Sequence, residues 1–291
     1  MGKNGTDRAS WLTFRAFFST VNNEQLFNKG KVNVGRKIVF FDIDGTLLDE
    51  QKQLPLSTIE AVRRLKQSGV YVAIATGRAP FMFEHVRKQL GIDSFVSFNG
   101  QYVVFEGNVL YKQPLSREKV RALTEDAHRH GHPLVFMNAD EMRASVDDHP
   151  HIHVSMASLK FAHPPIDPLY YENKDIYQAL LFCRAEEEER YVRNYPEFRF
   201  VRWHDVSTDV LPAGGSKAEG IRIMIEKLGI DAKDVYAFGD GLNDIEMLSF
   251  VGTGVAMGNA HEEVKRVADF VTKPVDKEGI WYGLKQLQLI R

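Results

Sequence analysis

The sequence predicts an α/β fold in which a parallel-sheet domain carries an inserted α+β domain. Two stretches of the chain, about 37–99 and 216–272, alternate short apolar runs with amphipathic segments. This alternation is typical of the strand–helix–strand units of a parallel sheet. The stretch between them, about 114–211, breaks the rhythm and is interrupted by prolines. We therefore expect the middle stretch to form a separate domain inserted into the first.

The first stretch predicts five elements of the parallel sheet. They are a strand at 37–43, a helix from about 57 to 68, a strand at 71–75, a helix at 81–90 and a strand at 95–98. Ser57 and Glu60 have the spacing of a capping box, and Gly91 is suited to end the second helix. A hairpin around Gly107-Asn108 then leads out of this stretch.

The remaining elements are predicted in the same way. The second stretch favours helices at 216–228, 243–250 and 262–267 and strands at 235–238, 254–257 and 270–272. For the insert we expect helices near 117–129 and 167–179 and strands near 198–203 and 206–211.

Composition excludes several classes of protein. The 291 residues are 44% hydrophobic and 26% charged, as in ordinary soluble domains. A net charge of -2 gives no electrostatic reason to bind nucleic acid or an anionic membrane. No run approaches the roughly 18 apolar residues of a membrane span. Cys183 is the single cysteine and lies in an apolar run, so we expect a buried, unreactive thiol and a cytoplasmic protein.

Residues 1–36 differ from the rest of the chain. Trp11 to Phe18 is too short and too interrupted for a signal-peptide core. Two interpretations stay open for this extension, an amphipathic accessory helix and a start codon assigned too far upstream. No function is predicted for it.

Four groups of polar residues fall where predicted strands end or a helix begins. Asp42 and Asp44 follow the first strand, and Thr76-Gly77-Arg78 follow the second. Lys217 opens a helix after two glycines and a serine, and Gly239-Asp240-Gly241-Leu242-Asn243-Asp244 follow the strand at 235–238. Ligands of open α/β sheets bind at the carboxyl ends of the strands. We therefore expect the four groups to meet in one site.

The chemistry of these groups indicates a metal and a phosphate. Two like charges 4 Å apart repel by about 4 kcal/mol at an effective dielectric of 20. The four aspartates of the first and last groups therefore need a hard divalent cation, for which Mg²⁺ is favoured. The Thr76 hydroxyl and the Lys217 ammonium suit phosphate oxygens. Each group alone is explained as well by an ordinary turn or helix start, and it is their order along one sheet that favours a site.

In this order the four groups resemble the four motifs of the haloacid dehalogenase-like (HAD) superfamily. Within it the chain is similar to Cof-type phosphatases with a large α/β cap (type II, subclass B) between the second and third motifs. The resemblance covers about 37–291, and its DxDGT and GDxxND motifs are highly specific. It implies a Rossmann-like parallel-sheet catalytic core at 37–113 and 212–291 and an inserted α+β cap at 114–211 that sets substrate specificity.

The resemblance also implies a mechanism. Asp42 attacks phosphorus and forms an aspartyl-phosphate, while Asp44 protonates the leaving alcohol and then deprotonates the attacking water. Mg²⁺ is held by Asp42, by Asp240 and by the backbone carbonyl of Asp44.

Other roles are implied around the phosphate. Thr76, Gly77, Lys217 and Asn243 bind phosphate, Asn243 and Asp244 orient metal-bound water or Lys217, and Thr46 positions Asp44. Arg78, Asn99 and Gly100 are either substrate contacts or parts of structural turns.

Together these expectations describe a Mg²⁺-dependent phosphatase of a small phosphorylated metabolite. A sugar phosphate is favoured, with flavin mononucleotide and pyridoxal phosphate also open. Two alternatives remain, a phosphoryl transferase or phosphomutase and a phosphometabolite-binding protein without catalysis.

For three features of the insert a structural interpretation is favoured or left open. The histidine-rich segment 149–153 is interpreted as a polar loop rather than as a soft-metal site. The glutamates at 186–189 are interpreted as a solvated helix face. Phe136 and Met137 are left between lining the substrate site and filling the core of the insert.

Overall fold

The computed structural model describes residues 36–291, which contain thirteen strands. In chain order the strands are β1 (Ile38–Phe41), β2 (Tyr71–Ala75), β3 (Phe95–Ser97), β4 (Tyr102–Phe105), β5 (Asn108–Lys112), β6 (Leu134–Met137), β7 (Met142–Ala144), β8 (Gln178–Leu181), β9 (Phe198–His204), β10 (Ser207–Pro212), β11 (Val235–Gly239), β12 (Thr253–Ala256) and β13 (Phe270–Val271).

The same residues contain ten α-helices. In chain order the helices are α1 (Leu56–Gln67), α2 (Glu84–Leu90), α3 (Arg117–Arg129), α4 (Pro150–Ser158), α5 (Tyr170–Asn173), α6 (Ala185–Asn194), α7 (Lys217–Leu228), α8 (Ile245–Phe250), α9 (Glu262–Val267) and α10 (Gly279–Gln286). None of the helices in residues 36–291 has both the length and the apolar character needed to cross a bilayer.

The strands form two sheets. The core sheet has the order β13-β12-β11-β1-β2-β3-β4-β5, and its first six strands are parallel while β4 and β5 are added as an antiparallel hairpin. The cap sheet has the order β7-β6-β8-β10-β9 and is antiparallel throughout. The predicted fold class, a Rossmann-like parallel-sheet core with a separate α+β cap, is confirmed.

The strand β1 lies at the centre of the core sheet because all four of its side chains are apolar. It pairs with β2 on one side and β11 on the other, and every residue is fully buried. Val39 and Phe41 pack with α1, α2 and α10 on one face of the sheet. Ile38 and Phe40 pack with α7, α8 and α9 on the other. Burial on both faces explains why this strand is an unbroken apolar run.

Several predicted elements are confirmed to within a residue. The strand at 71–75 and the helices at 117–129 and 262–267 have the predicted bounds. Gly91 ends α2 in the left-handed conformation, with φ of 61°. Cys183 is fully buried, and burial raises the pKa of its thiol to about 11, as expected for an unreactive cysteine. The acidic stretch lies in α6.

The predicted helix at 167–179 is wrong. The chain there forms the single turn α5 and then β8, whose four residues are all buried. The strand β8 lies between β6 and β10 in the cap sheet. Its pairing partners are distant in sequence, and this tertiary pairing overrides the local helical pattern.

Two smaller expectations are also corrected. The Ser57–Glu60 capping box is wrong, because Pro55 precedes α1 and the Glu60 carboxylate accepts hydrogen bonds from Arg63 and Arg64 instead. The segment 149–153 begins α4, where the His149 ring accepts a hydrogen bond from the His151 amide, so it is not a loop. Strands β6 and β7 and helices α4 and α10 are not predicted from the sequence.

Two open questions have different outcomes. Phe136 and Met137 are buried core residues of the cap sheet. The segment Trp11–Phe18 lies outside the described residues.

We expect Gly220→Ala to destabilise the protein, because α7 approaches the core sheet closely at this glycine. A β-carbon at position 220 would lie 2.4 Å from Cγ1 of Val96 and 2.8 Å from Cα of Gly100. Alanine gains about 1 kcal/mol of helix propensity, but overpacking costs typically 1–3 kcal/mol and the neighbouring backbone cannot yield easily. Chemical denaturation should show a net loss of stability. Lys227→Ala, on the exposed side of the same helix, is the control and should leave stability unchanged.

Candidate active site

The site lies at the carboxyl ends of β1 and β11. These strands are parallel neighbours, with Phe41 opposite Phe238. The backbone amide of Asp42 donates a hydrogen bond to the carbonyl of Phe238 at 3.0 Å, so the ladder continues into the first residue beyond the strand. This register brings Asp42 and Asp240 to adjacent positions at one edge of the core sheet.

The Lys217 ammonium joins two of the aspartates. Its Nζ donates to Oδ1 of Asp42 at 2.5 Å and to Oδ1 of Asp244 at 2.7 Å. Lys217 is only 1% exposed, so the three charged groups interact where water screens them little. Burial lowers the pKa of Lys217, but the two carboxylates outweigh that effect and raise it, so the ammonium stays charged.

The start of α7 delivers this lysine. Ser216 is the N-cap of the helix, and its hydroxyl accepts a hydrogen bond from the amide of Glu219. Gly100 packs against the same helix start, since a β-carbon there would lie 2.2 Å from the carbonyl oxygen of Ser216. The turn after β3 therefore supports the helix that carries Lys217.

Asp244 is occupied entirely by protein hydrogen bonds. Its Oδ1 accepts from Lys217, and its Oδ2 accepts from the backbone amides of Asp240 and Gly241, both at 2.9 Å. The side chain is fully buried. Asp244 therefore orients both Lys217 and the loop that carries Asp240.

The carboxylates of Asp42, Asp240 and Asp244 form the one group in residues 36–291 with metal-binding proximity. One oxygen from each lies within 4.8 Å of the others. Because both oxygens of Asp244 already accept hydrogen bonds, Asp42 and Asp240 are the side chains left for a cation. The histidine-rich part of α4 does not belong to such a group within the described residues.

Thr46 contacts Asp240 rather than Asp44. Its hydroxyl donates to Oδ1 of Asp240 at 2.8 Å, which corrects the predicted partner. Gly45 approaches the same carboxylate with φ of 78°, and a β-carbon there would lie 2.1 Å from Oδ2 of Asp240. The Gly-Thr pair after Asp44 is therefore needed to seat Asp240.

Asp44 is held by two cations. Arg78 donates from Nε to Oδ2 at 2.9 Å and from a terminal nitrogen to Oδ1 at 2.6 Å, and the Lys52 ammonium lies 2.7 Å from Oδ1. Burial raises the pKa of Asp44, but Arg78 and Lys52 outweigh it and lower the pKa below its usual value. Arg78, left open between a substrate contact and a structural turn, thus fixes the side chain of Asp44 here.

The other two aspartates have the opposite shift. Burial is the largest cause and raises the pKa of Asp42 to about 7, with Lys217 acting against it and Asp244 adding to it. Burial likewise raises the pKa of Asp240 to about 6, against the hydrogen bond from Thr46. A buried and a half-buried carboxylate with raised pKa values form the kind of environment that a divalent cation stabilises.

The turn after β2 lies beside the turn after β3. Thr76 is buried, and its hydroxyl accepts a hydrogen bond from the Arg78 amide at 3.1 Å. The amide of Asn99 donates to the carbonyl of Thr76, and a β-carbon on Gly77 would lie 3.0 Å from the Asn99 side chain. Asn99 and Gly100 therefore have a supporting role in these turns.

Two residues of the site, Lys52 and Asn259, were not predicted from the sequence, and one predicted residue, Asn243, lies at the rim of the site. Lys52 reaches Asp44 from a left-handed position with φ of 61°, which no sequence pattern signals. Asn259 donates to the carbonyl of Gly45 and accepts from the amide of Val275. The position of Asn259 just beyond the end of β12 could have indicated from the sequence that it lies at the site. Asn243 is exposed at the rim of the site.

Comparison with known proteins assigns the family. A family model described as haloacid dehalogenase-like hydrolase matches residues 39–284. The Bacillus subtilis protein YkrA is 54% identical over 255 residues, which cover 88% of this chain and 99% of YkrA.

Two solved structures are also similar. A hypothetical protein from Geobacillus kaustophilus is 95% identical and has a TM-score of 0.87. The superposition covers 88% of this chain and 100% of that protein's chain. The HAD subclass IIB sugar phosphatase BT4131 is 32% identical and has a TM-score of 0.74. The superposition covers 87% of this chain and 100% of the BT4131 chain.

The chain belongs to the haloacid dehalogenase-like hydrolase family. The class of enzyme that the sequence predicts, an HAD-type phosphatase with a cap, is confirmed by these relatives.

We expect Lys217→Met to destabilise the protein more at pH 8 than at pH 5. Removing one partner of a buried ion pair costs about 3–5 kcal/mol, because Asp42 and Asp244 would be left buried and unpaired. At pH 5 Asp42 can take up a proton, since the pKa of Asp42 is already raised to about 7 with the lysine present. Chemical denaturation at both pH values measures the difference.

Lys52→Met is the matched control. Lys52 is about half exposed, and the exposed ion pair that it forms with Asp44 contributes less than about 1 kcal/mol. Equal losses in the two lysine variants, or a loss for Lys217→Met that does not depend on pH, would contradict the structural role of Lys217.

Proposed function

We propose that this protein is a Mg²⁺-dependent phosphatase that hydrolyses a small phosphorylated metabolite through an aspartyl-phosphate on Asp42. The observation that carries the proposal is the joint contact of the Lys217 ammonium with Asp42 and Asp244, beside Asp240 at the same sheet edge. A nucleophilic carboxylate, a fixed cation and a second carboxylate are the groups that phosphoryl transfer requires.

The residues present fit Mg²⁺. Hard cations prefer carboxylate and carbonyl oxygens, and the site offers the carboxylates of Asp42 and Asp240. Within residues 36–291 no hydrogen-bond donor reaches Oδ2 of either carboxylate. We assign these two side chains and the Asp44 carbonyl as ligands. When bound, Mg²⁺ would offset the negative charge of the carboxylates and of the phosphate.

The protein side chains carry the reaction itself. Asp42 attacks phosphorus with one of its carboxylate oxygens, the P–O bond to the alcohol breaks, and the alkoxide leaves with a proton from Asp44. Asp44 then takes a proton from the water that hydrolyses the aspartyl-phosphate. For the first step Asp44 must carry a proton, so its contacts with Arg78 and Lys52 have to loosen when substrate binds. Lys217, the Thr76 hydroxyl, the Gly77 amide and Asn243 are proposed to hold phosphate oxygens.

A sugar phosphate is the substrate class that we favour. The similar structure BT4131 is named a sugar phosphatase, and its identity of 32% extends over the cap as well as the core. We propose that residues 114–211 form the domain that selects the substrate, with 37–113 and 212–291 as the catalytic core.

We expect Asp42→Asn to lower the hydrolysis of p-nitrophenyl phosphate at least about a thousandfold, because an amide cannot form the covalent intermediate. Released p-nitrophenol measures the rate. Glu50→Gln, an exposed carboxylate in the same loop, should keep wild-type activity. Unchanged turnover by Asp42→Asn with an intact fold would remove the proposed nucleophile. Transfer of the phosphoryl group to an added acceptor sugar, rather than release of phosphate, would instead indicate a transferase.

We expect Mg²⁺ to raise the unfolding temperature more at pH 8 than at pH 5. The pKa values of Asp42 and Asp240 in the folded protein, about 7 and 6, exceed their usual value near 4. Without a cation these groups contribute stability below about pH 4 that is lost as the pH rises to 7. Ionised carboxylates at pH 8 bind Mg²⁺, whereas protons compete at pH 5.

Thermal unfolding with Mg²⁺ or with EDTA checks this expectation without any activity measurement. Asp240→Asn should abolish most of the Mg²⁺-dependent increase, and Asp231→Asn, an exposed aspartate elsewhere, should preserve it. An equal increase at both pH values would contradict the proposed metal ligands.

A further inference from the structure

One face of the cap sheet is directed at the catalytic segments of the core. Val135 and Leu180 of the cap sheet belong to the same buried apolar cluster as Ala79 and Phe98 of the core. Ala79 follows Arg78 directly, and Phe98 precedes Asn99. The rings of Phe98 and Tyr177 stack across this seam with centroids 5.5 Å apart. This face of the cap sheet is therefore the one that packs against the core, and Ile152 and Met156 of α4 cover part of it.

Asp209 lies on the same face. It pairs directly with Leu180 across β8 and β10, and directly paired residues project on the same side of a sheet. Gln178 lies two residues from Leu180 along β8 and so shares the face. Trp203 of β9 packs against the same apolar cluster. A carboxylate, an amide and an indole thus share one face that is otherwise apolar.

These polar groups satisfy one another only in part. Gln178 is only 4% exposed, and its Oε1 has no hydrogen-bond partner within residues 36–291. The buried Nε1 of Trp203 and the buried hydroxyl of Ser207 also lack partners there. Ser207 precedes Asp209 by two residues on β10, across a register shift between Ser207 and Thr208. Buried polar atoms are rarely left unpaired, so a cluster of them indicates a partner from outside the chain.

Asp209 adds a charged acceptor to this cluster. Burial raises the pKa of Asp209 to about 7, and the Gln178 amide and the Trp203 indole act against that rise as donors nearby. The residue as a whole is partly buried. Within residues 36–291 Asp209 forms no salt bridge, although the charge of Arg199 also acts against the rise in its pKa, so little offsets the cost of burying this carboxylate.

We propose that Asp209, Gln178 and Trp203 bind the hydroxyl groups of the alcohol portion of the phosphorylated substrate. The inference rests on the proposed phosphatase function and specifies its substrate as a polyol or sugar phosphate. A hydroxyl group can donate to the Asp209 carboxylate or to Oε1 of Gln178, and its oxygen can accept from Nε1 of Trp203. The negative charge of Asp209 disfavours a second phosphate at this position.

The test compares Asp209→Asn with the wild-type protein on four phosphomonoesters with Mg²⁺. Glucose 6-phosphate, ribose 5-phosphate and glycerol 3-phosphate carry hydroxyl groups, and p-nitrophenyl phosphate carries none. We expect at least one hydroxyl-rich ester to exceed p-nitrophenyl phosphate in kcat/KM for the wild-type protein. Its kcat/KM should fall about tenfold or more in Asp209→Asn, because a charge-assisted hydrogen bond is lost. The kcat/KM for p-nitrophenyl phosphate should stay within about threefold.

Asp205→Asn is the matched control, since the same change is made in the exposed turn of the same hairpin. It should leave all four esters unaffected. Asp209→Asn should also be at least as stable as the wild-type protein at pH 8, since it removes a buried charge. A less stable variant would indicate a structural role and overturn the proposal.

The remaining outcomes distinguish a failure of the proposed recognition site from a failure of the proposed phosphatase function. An equal loss on all four esters, no loss on any, or a wild-type preference for p-nitrophenyl phosphate overturns the recognition site while leaving the phosphatase intact. Absence of wild-type turnover on every ester would instead contradict the proposed function.

Discussion

The arrangement of the site depends on one buried ammonium group. Lys217 is the only cation that contacts both Asp42 and Asp244 in the described residues, and it does so where solvent is excluded. Asp244 in turn holds the two amides that shape the loop carrying Asp240. The positions of Asp42 and Asp244 relative to each other therefore depend on the Lys217 side chain. The same interaction leaves one oxygen of Asp42 free.

Glycines set how closely the supporting segments approach. Gly45 lets the loop after β1 reach Asp240, and Gly100 lets the turn after β3 meet Ser216 at the start of α7. Both glycines have positive φ, and another group occupies the space that a β-carbon would take. The geometry of the charged groups is therefore determined as much by close backbone contacts as by the charges themselves.

Much of the site could be predicted from the sequence because parallel strands end at one edge. Asp42, Thr76 and Asp240 each follow a buried apolar run, so their proximity follows from the topology of the sheet. The partners of Asp44 and Thr46 could not be predicted in this way. Arg78 and Lys52 contact Asp44 through side-chain geometry in loops, and Thr46 contacts Asp240 across 194 residues.

The cap was harder to predict than the core for a physical reason. Its strands are short, antiparallel and partnered with distant segments, so β6 and β8 carry little local periodicity of their own. Long-range pairing decides their conformation, as the misassigned helix at 167–179 illustrates. The hairpin β9–β10 was predictable because its two strands are adjacent in sequence and pair with each other.

Gln101 lies where the chain enters and leaves the cap sheet. Its carbonyl accepts a hydrogen bond from the Gln113 amide on the outgoing side, and its side chain fills the space beside Gly215 on the returning side. Gln101 therefore ties the outgoing and the returning connection to each other where the cap joins the core. The returning connection leads within two residues to Lys217, so this tie lies next to the lysine that holds Asp42. A substitution at Gln101 would consequently disturb both the attachment of the cap and the start of the helix that carries Lys217.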